Sequence, residues 1–275
     1  LRQTTAILDG DPSGSTLQRF RGDNVCGIPD YDGCGVATEV LWSLQVTARD
    51  PRKEFWVQTT DPANEGRWAS LFSLSNGYLG LRGVPEESPS SPSGGFYVAG
   101  TYASAPKELL GLHDGDHILV NPERLRAASQ VTGDCLSTLP NLPFPIAVTI
   151  EVGGVPFEPE TARVLSHERV IEFETAVLRR TMVFRDAVGR RTRVDARRFV
   201  SFADSNLVCL EYTVTPLGHD APISARGRIE RNVTNANGLV LWSEARSVSG
   251  DNSAAVECAI RGSAARVAIA QRGLC

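Results

Sequence analysis

Two histidines and two aspartates crowd into His113-Asp114-Gly115-Asp116-His117, the densest set of potential metal ligands in the chain. Histidines four apart ligate one ion when a helix turns both rings to the same side, and Gly115 between two aspartates works against that helix. The segment reads as a polar surface turn, and no metal is expected. Glu86-Glu87 is the second pairing that could do chemistry, as a general acid and base. Neighbours on an extended chain point to opposite sides, so these two carboxylates cannot flank one scissile bond. One of them is expected instead to anchor Arg82 through a charge-assisted hydrogen bond.

Arg179, Arg180, Arg185, Arg190, Arg191, Arg193, Arg197 and Arg198 form a basic run that resembles a phosphate or nucleic-acid patch. The run sits on an alternating hairpin, where polar positions face solvent or a neighbouring domain. Glu172, Glu174, Asp186 and Asp195 stand close enough to neutralise it across strands. A solvated sheet face is the favoured reading. Asn232-Val233-Thr234 matches the glycosylation acceptor triplet, which carries meaning only in a secreted chain. No GxSxG elbow is present, and none of the four histidines stands near a Ser or Cys in a recognised local motif, so a hydrolase triad has no support. No catalytic residue is assigned.

The elements that would position such groups are those of an ordinary globular chain. Of 275 residues, 41% are hydrophobic and 22% charged, and the net charge is −4. That balance argues against a nucleic-acid partner, and no apolar run reaches the ~20 residues of a membrane span. The first residues lack the basic start and apolar core of a secretory leader. Six cysteines, at 26, 34, 135, 209, 258 and 275, fit no zinc spacing,. They read as reduced thiols of a cytoplasmic protein, with Cys209 a small buried hydrophobe. A chain that starts at Leu1, holds one methionine (Met182) and stops on AIAQRGLC reads as part of a longer frame.

Residues 1–48 mix Gly, Asp, Pro and Ser without apolar periodicity and read as an irregular leader. From 49 the texture changes. Glu54–Val57 is a candidate first strand and Glu65–Ser73 a short helix or turn. Phe96–Ser104 is a strand candidate, residues 105–138 a long excursion with helical turns near 121–128. Beyond residue 140 the period is two: a strand at 144–152 returns through Gly153-Gly154, and 177–184 pairs across Asp186–Gly189 with 191–197. Asn206–Val214 and Ile223–Arg231 continue the series. Short strands with turns every 8–12 residues predict a mainly β chain, a large antiparallel β-sandwich over 49–250. Residues 251–275 are left open between one more strand pair and a truncated or foreign end.

The organising stretch is Ser70–Glu87, SLFSLSNGYLGLRGVPEE. Asn76-Gly77 signals a turn, Leu79 and Leu81 a buried strand, and Gly80 and Gly83 places of close approach. With GGFYVAGTY (94–102), LPNLPFPIAVTIEVGGVPFE (139–158), residues 164–216 and the IERNVTN region (229–235), in that order, it resembles the N-terminal domain of glycoside hydrolase family 65. That family holds inverting α-glucoside phosphorylases and some trehalose hydrolases. The 105–138 excursion is longer than the resemblance leads one to expect.

The resemblance implies a non-catalytic β-sandwich supporting an (α/α)₆ barrel that lies outside this chain. There a glutamic acid would protonate the glycosidic oxygen of an α-linked disaccharide while inorganic phosphate attacks the anomeric carbon. It implies no other cofactor, a homodimer at full length, and an inactive chain when alone. Asn76, Tyr78, Arg82 and Glu87 are the positions expected at the substrate rim or the interface with the barrel. The alternative is a free-standing carbohydrate-binding or protein-interaction module.

Overall fold

Side chains that alternate apolar and polar over eight to eleven residues bury one face of an antiparallel strand, and this chain does so repeatedly. The computed structural model describes residues 2–9, 49–60, 62–89, 94–106, 135–159, 162–235 and 238–274. The His113–His117 cluster and the helical turns expected near 121–128 lie outside the described residues. In chain order the strands are β1 (Arg2–Asp9), β2 (Glu54–Gln58), β3 (Leu74–Ser75), β4 (Leu79–Leu81), β5 (Phe96–Val98), β6 (Ala103–Pro106) and β7 (Cys135–Thr138). There follow β8 (Phe144–Val152), β9 (Val155–Pro156), β10 (Arg163–Glu172), β11 (Val177–Arg185), β12 (Arg191–Val200), β13 (Leu207–Leu217) and β14 (Ile223–Glu230). Then come β15 (Trp242–Ser249), β16 (Ser253–Ile260) and β17 (Arg266–Leu274). A short helix, α1 (Glu65–Leu71), precedes β3.

Nine strands make one sheet in the order β15-β16-β17-β1-β13-β12-β11-β10-β2. Two three-stranded sheets, β14-β8-β9 and β3-β4-β5, form the second layer: β8 and β14 lie over β1, β13, β16 and β17, and β3 and β4 lie over β12. The result is the expected antiparallel sandwich. Its core runs between the layers, from Phe72, Leu79, Leu81 and Phe96 to Phe144, Ile146, Phe184, Val194 and Ile269. No helix among the described residues is long and apolar enough to cross a membrane.

The hairpin of β11 and β12 closes as the sequence predicts. Asp186 Oδ1 accepts from the amides of Val188 and Arg190, and the amide of Gly189 donates to the carbonyl of Asp186. Two expectations are corrected and one left open is resolved. Residues 96–104 are not one strand: the chain turns at Gly100 and separates β5 from β6. Arg2–Asp9, read as irregular, is a strand paired with β13 on one side and β17 on the other. Residues 253–274, left open between strand and foreign sequence, are β16 and β17 of the same sheet. In both segments residues of modest apolar content are recruited because neighbouring strands satisfy their backbone groups, a non-local gain that local composition does not report.

Cys209 is half-buried rather than buried, because it falls on the outward parity of β13 between Val208 and Leu210. Cys258, on the inward face of β16, is a buried thiol. Burial, with the nearby Glu244 and Glu257, pushes its pKa up to about 12. Both are free.

Candidate functional site

Ser70–Glu87 enters the core as a turn and a short strand. The Oδ1 of Asn76 accepts from the amides of Tyr78 and Leu79, and Gly77 takes a φ of 89° that a side chain would resist,. The Asn76 amide group also reaches across the sandwich, donating to the carbonyls of Ser201 at 2.6 Å and Ser205 at 3.0 Å. It thereby ties the β3–β4 turn to the β12–β13 turn. Gly83 is a close approach: its amide donates to Ala69 O at 2.7 Å, and a Cβ there would stand 2.6 to 2.8 Å from Phe72. Gly80 is not one, since its nearest neighbour would be in ordinary contact at 3.8 Å.

Past Leu81 the chain leaves the strand, and it turns at Glu86-Glu87. In a turn the strand alternation no longer applies, so both carboxylates go to the same side, into the interior. Arg180 Nε and Nη2 donate to Glu86 Oε2 at 2.9 and 2.6 Å, and Nη2 also donates to Glu87 Oε1 at 2.6 Å. Arg198 Nη1 donates to Glu86 Oε1 at 2.9 Å. The hydroxyl of Tyr212 donates to Glu87 Oε1 in a short hydrogen bond. The side chains of Glu86, Glu87, Arg180 and Arg198 are each no more than 3% exposed. Two cations face two anions in a space that excludes water.

Charge pairing decides the protonation states. Burial opposes ionisation of Glu86, but Arg180 and Arg198 outweigh it and hold the carboxyl below the usual carboxylate range. Burial also works against the Arg180 cation, and Glu86 and Glu87 more than offset it. For Arg198 burial wins and its pKa is lowered. Burial, then the Glu87 charge, pushes the Tyr212 phenol well up and keeps it a neutral donor.

Strand register explains how the partners meet. Tyr212 of β13 opposes Ala196 of β12, Ala196 opposes Arg180 of β11, and Arg180 opposes Arg169 of β10. Ala196 is the small residue in this row, and the Glu87 carboxylate bridges from Arg180 to Tyr212 on either side of it. At the end of the row Arg169 donates from Nη2 to both oxygens of Glu65 on α1, at 2.8 and 2.7 Å. One ion pair therefore fixes the helix before the motif and another fixes the turn after it. His167 lies beside this row. Burial first, then the Arg169 and Arg180 charges, lowers its pKa to about 2.

The expected partnership of a glutamate with Arg82 is corrected. Arg82 is half-buried and donates from Nη2 to Gly66 O and Ser70 Oγ, at 3.0 and 2.6 Å, while the glutamates take Arg180 and Arg198. The solvated reading of the whole arginine run is corrected too, because Arg180 and Arg198 point inward. Their parity was visible in the sequence: Arg180 alternates in step with Leu178, Met182 and Phe184, and Arg198 with Val194, Ala196 and Val200. Of the four positions proposed for a rim or interface, Asn76, Tyr78 and Arg82 are partly exposed on the β3–β4 hairpin and the segment that follows it. Glu87 is turned into the interior. Among the described residues no group of three His, Cys, Asp or Glu side chains is placed to hold a metal.

The profile of the family described as glycosyl hydrolase family 65, N-terminal domain, matches residues 56–274. Over 172 residues the chain is 33% identical to kojibiose phosphorylase of Escherichia coli K12, covering 62% of this chain and 18% of that protein. Over 171 residues it is 26% identical to kojibiose phosphorylase of Caldanaerobacter subterraneus subsp. tengcongensis, covering 62% of this chain and 19% of the relative. A solved structure from the human microbiome, a candidate kojibiose phosphorylase, matches with a TM-score of 0.58 at 14% identity. That match covers 82% of this chain and 30% of the other, and is a likeness of fold. The aligned part is thus about a fifth of the length of these curated relatives. The chain belongs to glycosyl hydrolase family 65, as its N-terminal domain.

Proposed function

We propose that this chain is the non-catalytic β-sandwich of a cytoplasmic α-glucoside phosphorylase or hydrolase, supporting a separate (α/α)₆ catalytic barrel. The observation that carries the reading is the family match over 56–274 together with two kojibiose phosphorylase relatives several times longer than the matched part. The chemistry of the interior supports it. Glu86 and Glu87, the carboxylate pair of the identifying motif, are committed to Arg180, Arg198 and Tyr212 inside the fold and have no route to a sugar.

On this reading the domain works through shape. Asn76, Tyr78 and Arg82 stand on a rigid hairpin facing the barrel or the rim of its active site, and Glu87 holds that hairpin from within. The parent enzyme acts on an α-linked disaccharide with inorganic phosphate or water as acceptor and assembles as a homodimer, with no nucleic acid or membrane as partner. The test is an assay of phosphate consumption with kojibiose, maltose and trehalose, using the product of the extended reading frame. Phosphorolysis or hydrolysis of one of them is expected. An extended frame that encodes no helical barrel and turns over no disaccharide would overturn the proposal.

A further inference from the structure

Six arginines face outward from β10, β11 and β12. Three of them have a carboxylate: Arg179 meets Glu172 at 2.8 Å, Arg193 meets Asp195 at 2.7 Å and Arg197 meets Glu211 at 3.5 Å. The other three, Arg163, Arg185 and Arg191, are exposed and make no ion pair among the described residues. They are not scattered. Arg163 is the register partner of Arg185, and Arg185 is the register partner of Arg191. Directly opposed residues share a face of the sheet, so three guanidinium groups stand in one row across three strands. Like charges placed directly opposite one another repel, and in the isolated domain nothing described relieves them.

We infer that this row is a docking strip for an acidic helix of a protein partner, with carboxylates repeating along one side of that helix. The spacing selects the occupant. Adjacent strands lie about 4.8 Å apart, so the row spans roughly 10 Å. Helix residues three or four apart present side chains about 5–6 Å apart, so carboxylates at i, i+4 and i+7 cover the same length. An extended strand repeats on one side only every ~6.7 Å and falls out of step by the third residue. The row lies on an exposed face of the sheet among the described residues. A small anion there would keep its water and bind weakly, whereas a helix laid across the strands would exclude water from each Arg–carboxylate pair. This inference is independent of the proposed function.

The probe is a capped, labelled Ala-rich helical peptide with glutamates at i, i+4 and i+7, titrated against the whole chain by fluorescence anisotropy. A peptide of the same composition with its glutamates spread around the helix is the control. The patterned peptide is expected to bind at least about tenfold more tightly than the control, and binding should weaken steeply with salt. Arg163, Arg185 and Arg191 changed together to Gln should abolish the preference, and Arg246→Gln on the exposed β15 should leave it intact. Removal of repelling charges should leave the melting temperature of the triple variant unchanged or raised. Arg185→Gln alone, at the centre of the row, repeats the test if the triple variant does not fold. Equal binding of the two peptides, or a preference that survives the arginine changes, would overturn the inference. So would tighter binding of tripolyphosphate than of the patterned peptide through the same three arginines, which would make the row a small-phosphate site.

Discussion

Glu86 and Arg180 lie 94 residues apart in sequence and meet inside the sandwich, where Arg180 Nε and Nη2 both donate to Glu86 Oε2. This pair joins the Ser70–Glu87 segment to β11 of the nine-stranded sheet. Removing one partner of a buried ion pair leaves the other charge in a medium that cannot solvate it, which costs about 3–5 kcal/mol. Glu86→Gln and Arg180→Met should each destabilise by that order in urea unfolding. The double variant should lose less than the sum, because the Glu86–Arg180 attraction is lost only once, while Arg198 and Glu87 each lose a partner in the single variants already. Strict additivity in this cycle would mean that the two groups do not interact.

Ala196 is small because the Glu87 carboxylate passes between Arg180 and Tyr212 beside it. Ala196→Leu should push the carboxylate off one of its partners and overpack the row, at a cost of about 1–3 kcal/mol for overpacking alone. The same change at Ala255, buried on β16 away from the cluster, separates general overpacking from loss of the bridge. If the two variants are equally affected when Glu87 is already Gln, but Ala196→Leu is the worse in the native background, the bridge is the cause. Equal effects in both backgrounds would contradict it.

His167 gives the interior a pH signature. Its folded pKa of about 2 lies below the ordinary value of 6.5. Between these limits the unfolded chain therefore binds a proton that the folded chain does not. Stability is unaffected by His167 above pH 6.5 and falls as the pH drops below it, by about 1.4 kcal/mol per unit. Glu86, whose folded pKa is depressed, adds stability that is present above about pH 4.3 and disappears as the pH falls through its folded value. Denaturant titrations at pH 7, 6 and 5 should show His167→Gln losing less stability on acidification than the wild type. Parallel losses would rule out a buried neutral imidazole.

Asn76 and Gly83 test the hairpin itself. Asn76→Ala removes two hydrogen bonds to the Ser201–Ser205 turn and two within its own turn, and should cost about 2–4 kcal/mol at roughly 1 kcal/mol for each bond. Gly83→Ala would place a methyl against the Phe72 backbone and should be at least as damaging. Hydrogen exchange should quicken at Tyr78–Val84 and Ser201–Leu207 together in Asn76→Ala. Faster exchange at the first segment only would show that the two turns are not coupled.

What the sequence made legible was local. The Asn76-Gly77 turn, the Gly153-Gly154 return and the β11–β12 hairpin were readable because the residues that make each turn also stand in it. The partners of Glu86 and Glu87 were not, since they come from β11, β12 and β13 through strand register. The rule that neighbours face opposite ways failed at Glu86-Glu87 because a turn interrupts the strand there. Arg180 and Arg198 show the opposite case: their inward parity was in the sequence, and the charge of arginine argued against trusting it. The strands at 2–9 and 253–274 depend on pairing with β13 and with one another, which composition cannot report.

On the proposed function, Glu86 and Glu87 serve structure and sugar chemistry belongs to another part of the enzyme. The direct measurement is phosphate consumption or glucose release with kojibiose, maltose and trehalose, by this chain alone and by the extended gene product, each with Glu86 native and as Gln. No turnover by the chain alone is expected. In the extended enzyme Glu86→Gln should lower thermal stability and the yield of folded protein, while kcat/KM per folded enzyme stays within about twofold, a change under ~0.5 kcal/mol. Turnover by the chain alone that disappears in Glu86→Gln would contradict it.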